Sequence, residues 1–168
     1  MSDQEVEVSE ESKSENKEDL LVQEGEIAAD YLEGLLDIAD LDGDLIMDVE
    51  NGRAMVSITG AELNELVGDK GKVLDALQEL TRLAVTRETG ERSRLMLDIS
   101  GHREKVRAKL TELAQETVQK VLETGEPIKL KAMTSFERKI VHDAVAEAGA
   151  KSISEGETPH RRIVVHPA

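Results

Sequence analysis

The spacing of apolar positions changes several times along the chain, and each change marks a boundary. Ile27, Tyr31, Leu32, Leu35, Leu36 and Ala39 recur at helical intervals, which predicts an amphipathic helix over residues 26–40. From Leu45 the interval becomes two, with Leu45, Met47 and Val49 in one run and Ala54, Val56 and Ile58 in the next. Between them lies Glu50-Asn51-Gly52-Arg53. Asn-Gly accepts the positive φ angles of a tight turn, so these runs predict a β-hairpin. Helical spacing returns over 61–67, breaks at Gly68-Asp69-Lys70-Gly71, and resumes through Val73, Leu74, Leu77, Leu80 and Ala84. Leu95, Leu97 and Ile99 then alternate as a third strand. Residues 26–101 therefore read α-β-β-α-α-β.

A second pattern follows. Val106, Leu110, Leu113, Thr117 and Val121 form one stripe of a long helix over 102–123. Thr124-Gly125-Glu126-Pro127 ends it, because Gly suits the position after a helix and Pro cannot continue one. Residues 102–126 are thus a connecting helix with its terminating turn. Residues 127–168 form a second small module: an extended piece at 128–130, a helix over 135–148 capped by Thr134 or Ser135, and strands at 151–154 and 162–165. The expected class is α+β, two small modules joined through a long helix.

Composition changes this picture mainly at the N-terminus. The 168 residues include 36 acidic and 21 basic side chains, a formal charge of −15. Of these, residues 1–43 hold 15 acids and two lysines, and the remainder is nearly balanced. Residues 1–25 are Glu/Ser-rich, and the first nineteen lack periodicity, so a largely disordered acidic tail is expected. It serves either as a solubilising segment or as an electrostatic competitor for basic surface. One Tyr, one Phe and no Trp exclude an aromatic stacking platform. Without cysteine there is no disulfide, thiolate metal site or thiol nucleophile. No apolar run reaches the roughly 20 residues of a membrane span, and the acidic N-terminus is unlike a secretory signal. A cytoplasmic protein without membrane insertion is expected.

Two constellations carry candidate chemistry. In Gly68-Asp69-Lys70-Gly71, two glycines let backbone approach a phosphate chain, and the helix that follows offers free N–H groups. Lys70 and Lys72 add charge, while Val67 and Val73 can supply apolar loop walls with modest base preference. A lone Gly-x-x-Gly is also an ordinary turn between helices; its place inside α-β-β-α-α-β matches the nucleotide-clamping loop of type II KH domains. The second constellation places Arg138 and His142 one helical turn apart. Arg offers a planar fork to phosphate, and His a hydrogen bond or a charge. Lys151, Ser154, Gly156, Arg161 and Arg162 follow, and residues 127–168 hold seven basic against five acidic side chains.

Glu137-Arg138-x-x-x-His142, Ser154-x-Gly156 and Arg161-Arg162-Ile163-Val164-Val165 resemble the domain family named for its Arg-x-x-x-His spacing. Leu74-Asp75-Ala76-Leu77-Gln78, Leu97-Asp98-Ile99, Gly101-x-Arg103-x-x-x-Arg107 and Thr124-Gly125-Glu126-Pro127 look like the bacterial Jag (SpoIIIJ-associated) family. The resemblance covers residues 26–168. It implies a KH domain followed by an Arg-x-x-x-His domain, binding single-stranded RNA or single-stranded DNA. It further implies post-transcriptional regulation or RNA chaperone activity linked to cell envelope growth or division, and a second small KH protein as partner. Asp69 and His102 depart from the family pattern, and a carboxylate in the loop opposes phosphate.

Other chemistry is poorly supported. His102, His142, His160 and His166 show no metal-ligand spacing, and His102 and His160 read as surface residues. No cofactor motif is present, so no metal, no cofactor and no catalytic residue are expected. A protein-interaction adaptor using the acidic tail is the alternative function. A nuclease with His142 as general base is a further one, although no partner acid can be nominated.

Overall fold

The computed structural model describes residues 2–168, with side chains described from Ser12 onward. The elements are α1 (Ser2–Ala39), β1 (Asp44–Glu50), β2 (Arg53–Thr59), α2 (Asn64–Val67), a 3-10 turn (Asp69–Gly71), α3 (Lys72–Thr89) and β3 (Met96–Ile99). They continue with α4 (His102–Thr124), β4 (Ile128–Ala132), α5 (Ser135–Glu147), β5 (Lys151–Glu155) and β6 (Arg162–His166). The chain divides into two compact units, the first ending at His102 and the second spanning Arg103–Ala168. The class is α+β, with a KH-like α-β-β-α-α-β module followed by a small α/β module.

In the first unit β1 and β2 form the antiparallel hairpin, closing through Glu50 opposite Arg53. Asn51 and Gly52 adopt φ of 52° and 70°, as the Asn-Gly turn requires. β3 joins β2 in parallel, giving the order β1-β2-β3. Alternation buries Ala54, Val56 and Ile58 on β2, and Leu97 and Ile99 on β3. Ala28, Leu32 and Leu36 from α1 and Leu74, Leu77 and Val85 from α3 complete this core. On α3 the buried arc is Leu74, Leu77, Thr81 and Val85, whereas Leu80 is 48% exposed. Thr81 can replace it because its hydroxyl donates to the Leu77 carbonyl at 2.7 Å and leaves only a methyl toward the sheet.

Two expectations are corrected. Residues 12–25 are helical, not disordered. Gly25 is buried, near enough to Met47 that an added Cβ would lie 3.9 Å from it. Once this packing fixes the C-terminal half of α1, each further turn toward the N-terminus adds a bond per residue fixed and needs no new nucleus. The disorder expectation for Met1 lies outside the described residues. The second correction concerns α4, which is not a separate connector. Its Ala114, Val118 and Val121 pack with Val141, Val145, Ile163 and Val165 in the core of the second unit. The buried stripe is Ala114, Thr117, Val118 and Val121, so Leu113, expected inside, is 37% exposed.

The second unit's sheet has the antiparallel order β4-β6-β5. Ser152 faces Val165 and Ser154 faces Ile163 across β5 and β6. By strand alternation these pairs share the face that carries the core. Lys151, Ile153 and Glu155 point to the other face.

Candidate nucleic-acid interface

In the first unit, the Gly68–Gly71 segment takes a backbone that few residues tolerate. Gly68 has φ 72° and ψ −176°, Lys70 has φ 54°, and Gly71 has φ 76°. The Gly68 combination is essentially restricted to glycine. A Cβ there would also overlap a Val73 methyl, and one on Gly71 would lie 2.7 Å from Nε2 of His102. Both glycines are thus required by angle and by space. No side chain caps the N-terminus of α3, so the positive end of its dipole is available to an anion. Asp69, Lys70 and Lys72 are exposed, and Val73 is 39% exposed. Val67, by contrast, packs partly against the core. It is a weaker candidate for base contact than expected.

The loop is held by the far side of α3. Arg82 Nε donates to the Leu95 carbonyl at 2.7 Å, and Gln78 Oε1 accepts the Leu97 N–H at 3.1 Å. These two bonds fix α3 along β3 and so fix the direction in which its N-terminus points. His102, which reads from the sequence as a surface residue, instead backs Gly71. Only its position just after Gly101 hints at this.

In the second unit, α5 starts with a complete capping box. Thr134 Oγ1 accepts the Glu137 N–H at 3.3 Å, and Glu137 Oε2 accepts the Thr134 N–H at 2.9 Å. Arg138, in the first turn, donates from Nη1 to the Met133 carbonyl at 2.6 Å and from Nη2 to Ser135 Oγ at 3.2 Å. The Met133 N–H donates to the Arg161 carbonyl at 3.0 Å. Arg161 in turn donates from Nη1 to the Gly156 carbonyl at 2.8 Å. One residue, Met133, therefore ties Arg138 to the turn that carries Arg161.

His142 lies one turn along α5, half-buried between two strand hydroxyls. Its Nδ1 is 2.5 Å from Ser152 Oγ and its Nε2 is 2.8 Å from Ser154 Oγ. Burial first, then the positive charges of Arg138 and Arg161, push its pKa below the ordinary 6.5, while Asp143 opposes them. The ring is accordingly neutral at neutral pH. Arg138 and Arg161 are joined through Met133, Arg161 is held on Gly156, and Gly156 lies two residues after the Ser154 that meets the ring, so Arg138, His142, Ser154, Gly156 and Arg161 form one cluster. Two expected members do not join it. Arg162 pairs with Glu155 across β5 and β6, with Nε 3.9 Å from Oε1, and Lys129 also reaches Glu155 at 3.3 Å. Lys151 shares that opposite sheet face, because it alternates with Ser152. Sequence reasoning misses Ser152; its spacing two residues before Ser154 on a strand is the available signal.

The cluster offers cationic forks and hydroxyls at half-buried positions, which suits an anion with several oxygens. Among the described residues no three His, Asp or Glu side chains gather to hold a metal ion. None of their helices is long and apolar enough to cross a membrane.

Residues 108–167 match the model of the domain family named for the Arg-x-x-x-His spacing. The chain is 32% identical over 137 residues to an RNA-binding protein KhpB of Lactiplantibacillus plantarum, covering 81% of this chain and 42% of that one. It is 32% identical over 138 residues to the Bacillus subtilis KhpB, covering 80% and 66%. With the Clostridium symbiosum KhpB the identity is 30% over 141 residues, covering 82% and 64%. The chain thus spans less than two thirds of these relatives' own lengths. The second unit matches the Arg-x-x-x-His domain family, within a chain similar along four-fifths of its length to the bacterial RNA-binding proteins called KhpB.

Proposed function

We propose that this chain binds single-stranded RNA without chemistry, as a Jag-family protein with a KH domain followed by an Arg-x-x-x-His domain. The observation that carries the reading is the convergence of Arg138 and Arg161 on neutral His142 and Ser154, in the unit that matches the Arg-x-x-x-His family. Two guanidinium groups, each anchored by one backbone carbonyl, keep further N–H donors for phosphate oxygens. The loop at 68–71 supplies a second backbone-gripping site, weakened by Asp69. Covalent linkage of two modest sites raises the effective concentration of each for one strand. The relatives' names, RNA-binding protein KhpB, support RNA over DNA as the ligand. A cytoplasmic post-transcriptional regulator or RNA chaperone serving envelope growth or division, with a second small KH protein as partner, is the cellular role that fits.

The test is the salt dependence of binding to a mixed-sequence single-stranded RNA. The logarithm of affinity should fall linearly with the logarithm of salt. Arg138→Ala and Arg161→Ala should each flatten that slope by about 0.7, the increment for one phosphate contact on a single strand. Affinity that ignores salt and survives both substitutions would point to the adaptor function instead.

A further inference from the structure

His142 sits between Ser152 and Ser154, and a neutral imidazole has one N–H to give. It therefore donates to one serine and accepts from the other. The serine that donates to the ring has spent its only proton, whereas the serine that accepts keeps a proton for something else. Which serine keeps it decides whether that proton is useful.

The two hydroxyls differ in place. Ser152 pairs with Val165, two pairs along the strand from Ser154 and away from the Arg161 turn, and its one described side-chain bond is to the ring. Ser154 is followed by Glu155 and Gly156, beside the turn where Arg161 is fixed on the Gly156 carbonyl. Both serines are half-buried and each stands one pair in from an end of β5, so burial does not choose between them; only Ser154 adjoins the turn that holds a guanidinium, where an anion would accept its proton. The arrangement that leaves a proton beside Arg161 has Ser152 donating to Nδ1 and Nε2–H donating to Ser154 Oγ.

We propose that His142 is a positioning residue, and that the phosphate oxygen is received by the Ser154 hydroxyl together with the Arg161 guanidinium. This rests on the RNA-binding reading above and assigns the contact within it. The ring acts through Ser154, in its uncharged form, and does not itself touch the ligand. The charged groups facing it are Arg138 and Asp143 on α5 and Arg161 in the turn before β6. Burial first, and then the two guanidinium groups against Asp143, keep it neutral.

The experiment measures affinity of the full chain for a mixed-sequence single-stranded RNA at mildly alkaline pH, with His142→Ala, Ser154→Ala, the double variant and Ser154→Thr. Each alanine should weaken binding about tenfold, the scale of one hydrogen bond to a charged group. The double variant should lose no more than either single, and Ser154→Thr should keep the parent affinity. Additive losses, a His142→Ala loss that disappears at alkaline pH, or a threonine as damaging as alanine would each overturn the proposal. Ring-nitrogen NMR of the free chain should find Nε2 protonated and Nδ1 bare; the reverse tautomer overturns the proposal even where RNA binds well. If the unsubstituted chain binds no RNA, the proposed function fails and takes the phosphate with it, while the spectrum still decides the serine relay.

Discussion

Gly68 shows how much a single position can carry. Its φ of 72° with ψ of −176° is a conformation that any Cβ makes strained, and the Val73 methyl already occupies the space a Cβ would need. Gly68→Ala should cost the loop more than the roughly 1–3 kcal/mol of backbone strain alone. Chemical denaturation of the full chain should register the loss, together with weaker RNA binding; an alanine tolerated at parent stability would refute this account of the loop. The Gly-x-x-Gly spacing is legible in the sequence because glycine announces its backbone freedom. His102 against Gly71 is not, since a contact across thirty-one positions leaves no mark in local spacing. The same holds for Ser152, which meets His142 only because β5 pairs beside β6 and under α5.

Among the elements, α5 is the one whose ends are most fully written in the sequence. Thr134 and Glu137 satisfy each other's backbone N–H groups, and Arg138 uses the carbonyl of Met133 just ahead of the cap. Thr134→Ala should destabilise the second unit by about 1 kcal/mol. It should also loosen the Met133 bridge, so thermal unfolding and RNA affinity should fall together. A stability loss with unchanged affinity would separate the cap from the site. The hairpin is equally legible, because Asn51-Gly52 fixes both turn and register. Helix faces are less so. On α3 and α4 the apolar residues span a wider arc than the core can take, and threonines that bond their own helix carbonyls slip inside. That is how Thr81 and Thr117 come to be buried while Leu80 and Leu113 stay outside. The reach of α1 is hidden for a different reason: composition reports low hydrophobicity, and a helix already seeded at Gly25–Leu36 propagates on propensity alone.

For the whole molecule, a charge of −15 conceals where each sign resides. Residues 12–20 are helical, exposed and absent from the core, so they can be removed without opening it. Deleting residues 1–19 should raise affinity for single-stranded RNA at low salt, where repulsion between like charges is least screened. The gain should vanish at high salt, and equal affinities of the truncated and full chains at low salt would mean that the acidic segment plays no electrostatic part.

The clasp of α3 on β3 has an effect beyond aiming the loop. β3 stands at the end of its sheet, where unpaired main-chain groups normally invite a stranger's strand. Arg82 occupies the Leu95 oxygen, Gln78 the Leu97 nitrogen and Asp98 the Ile99 nitrogen. The border is stitched shut by the protein's own side chains, and any neighbour seeking to lengthen this sheet must come to β1 instead.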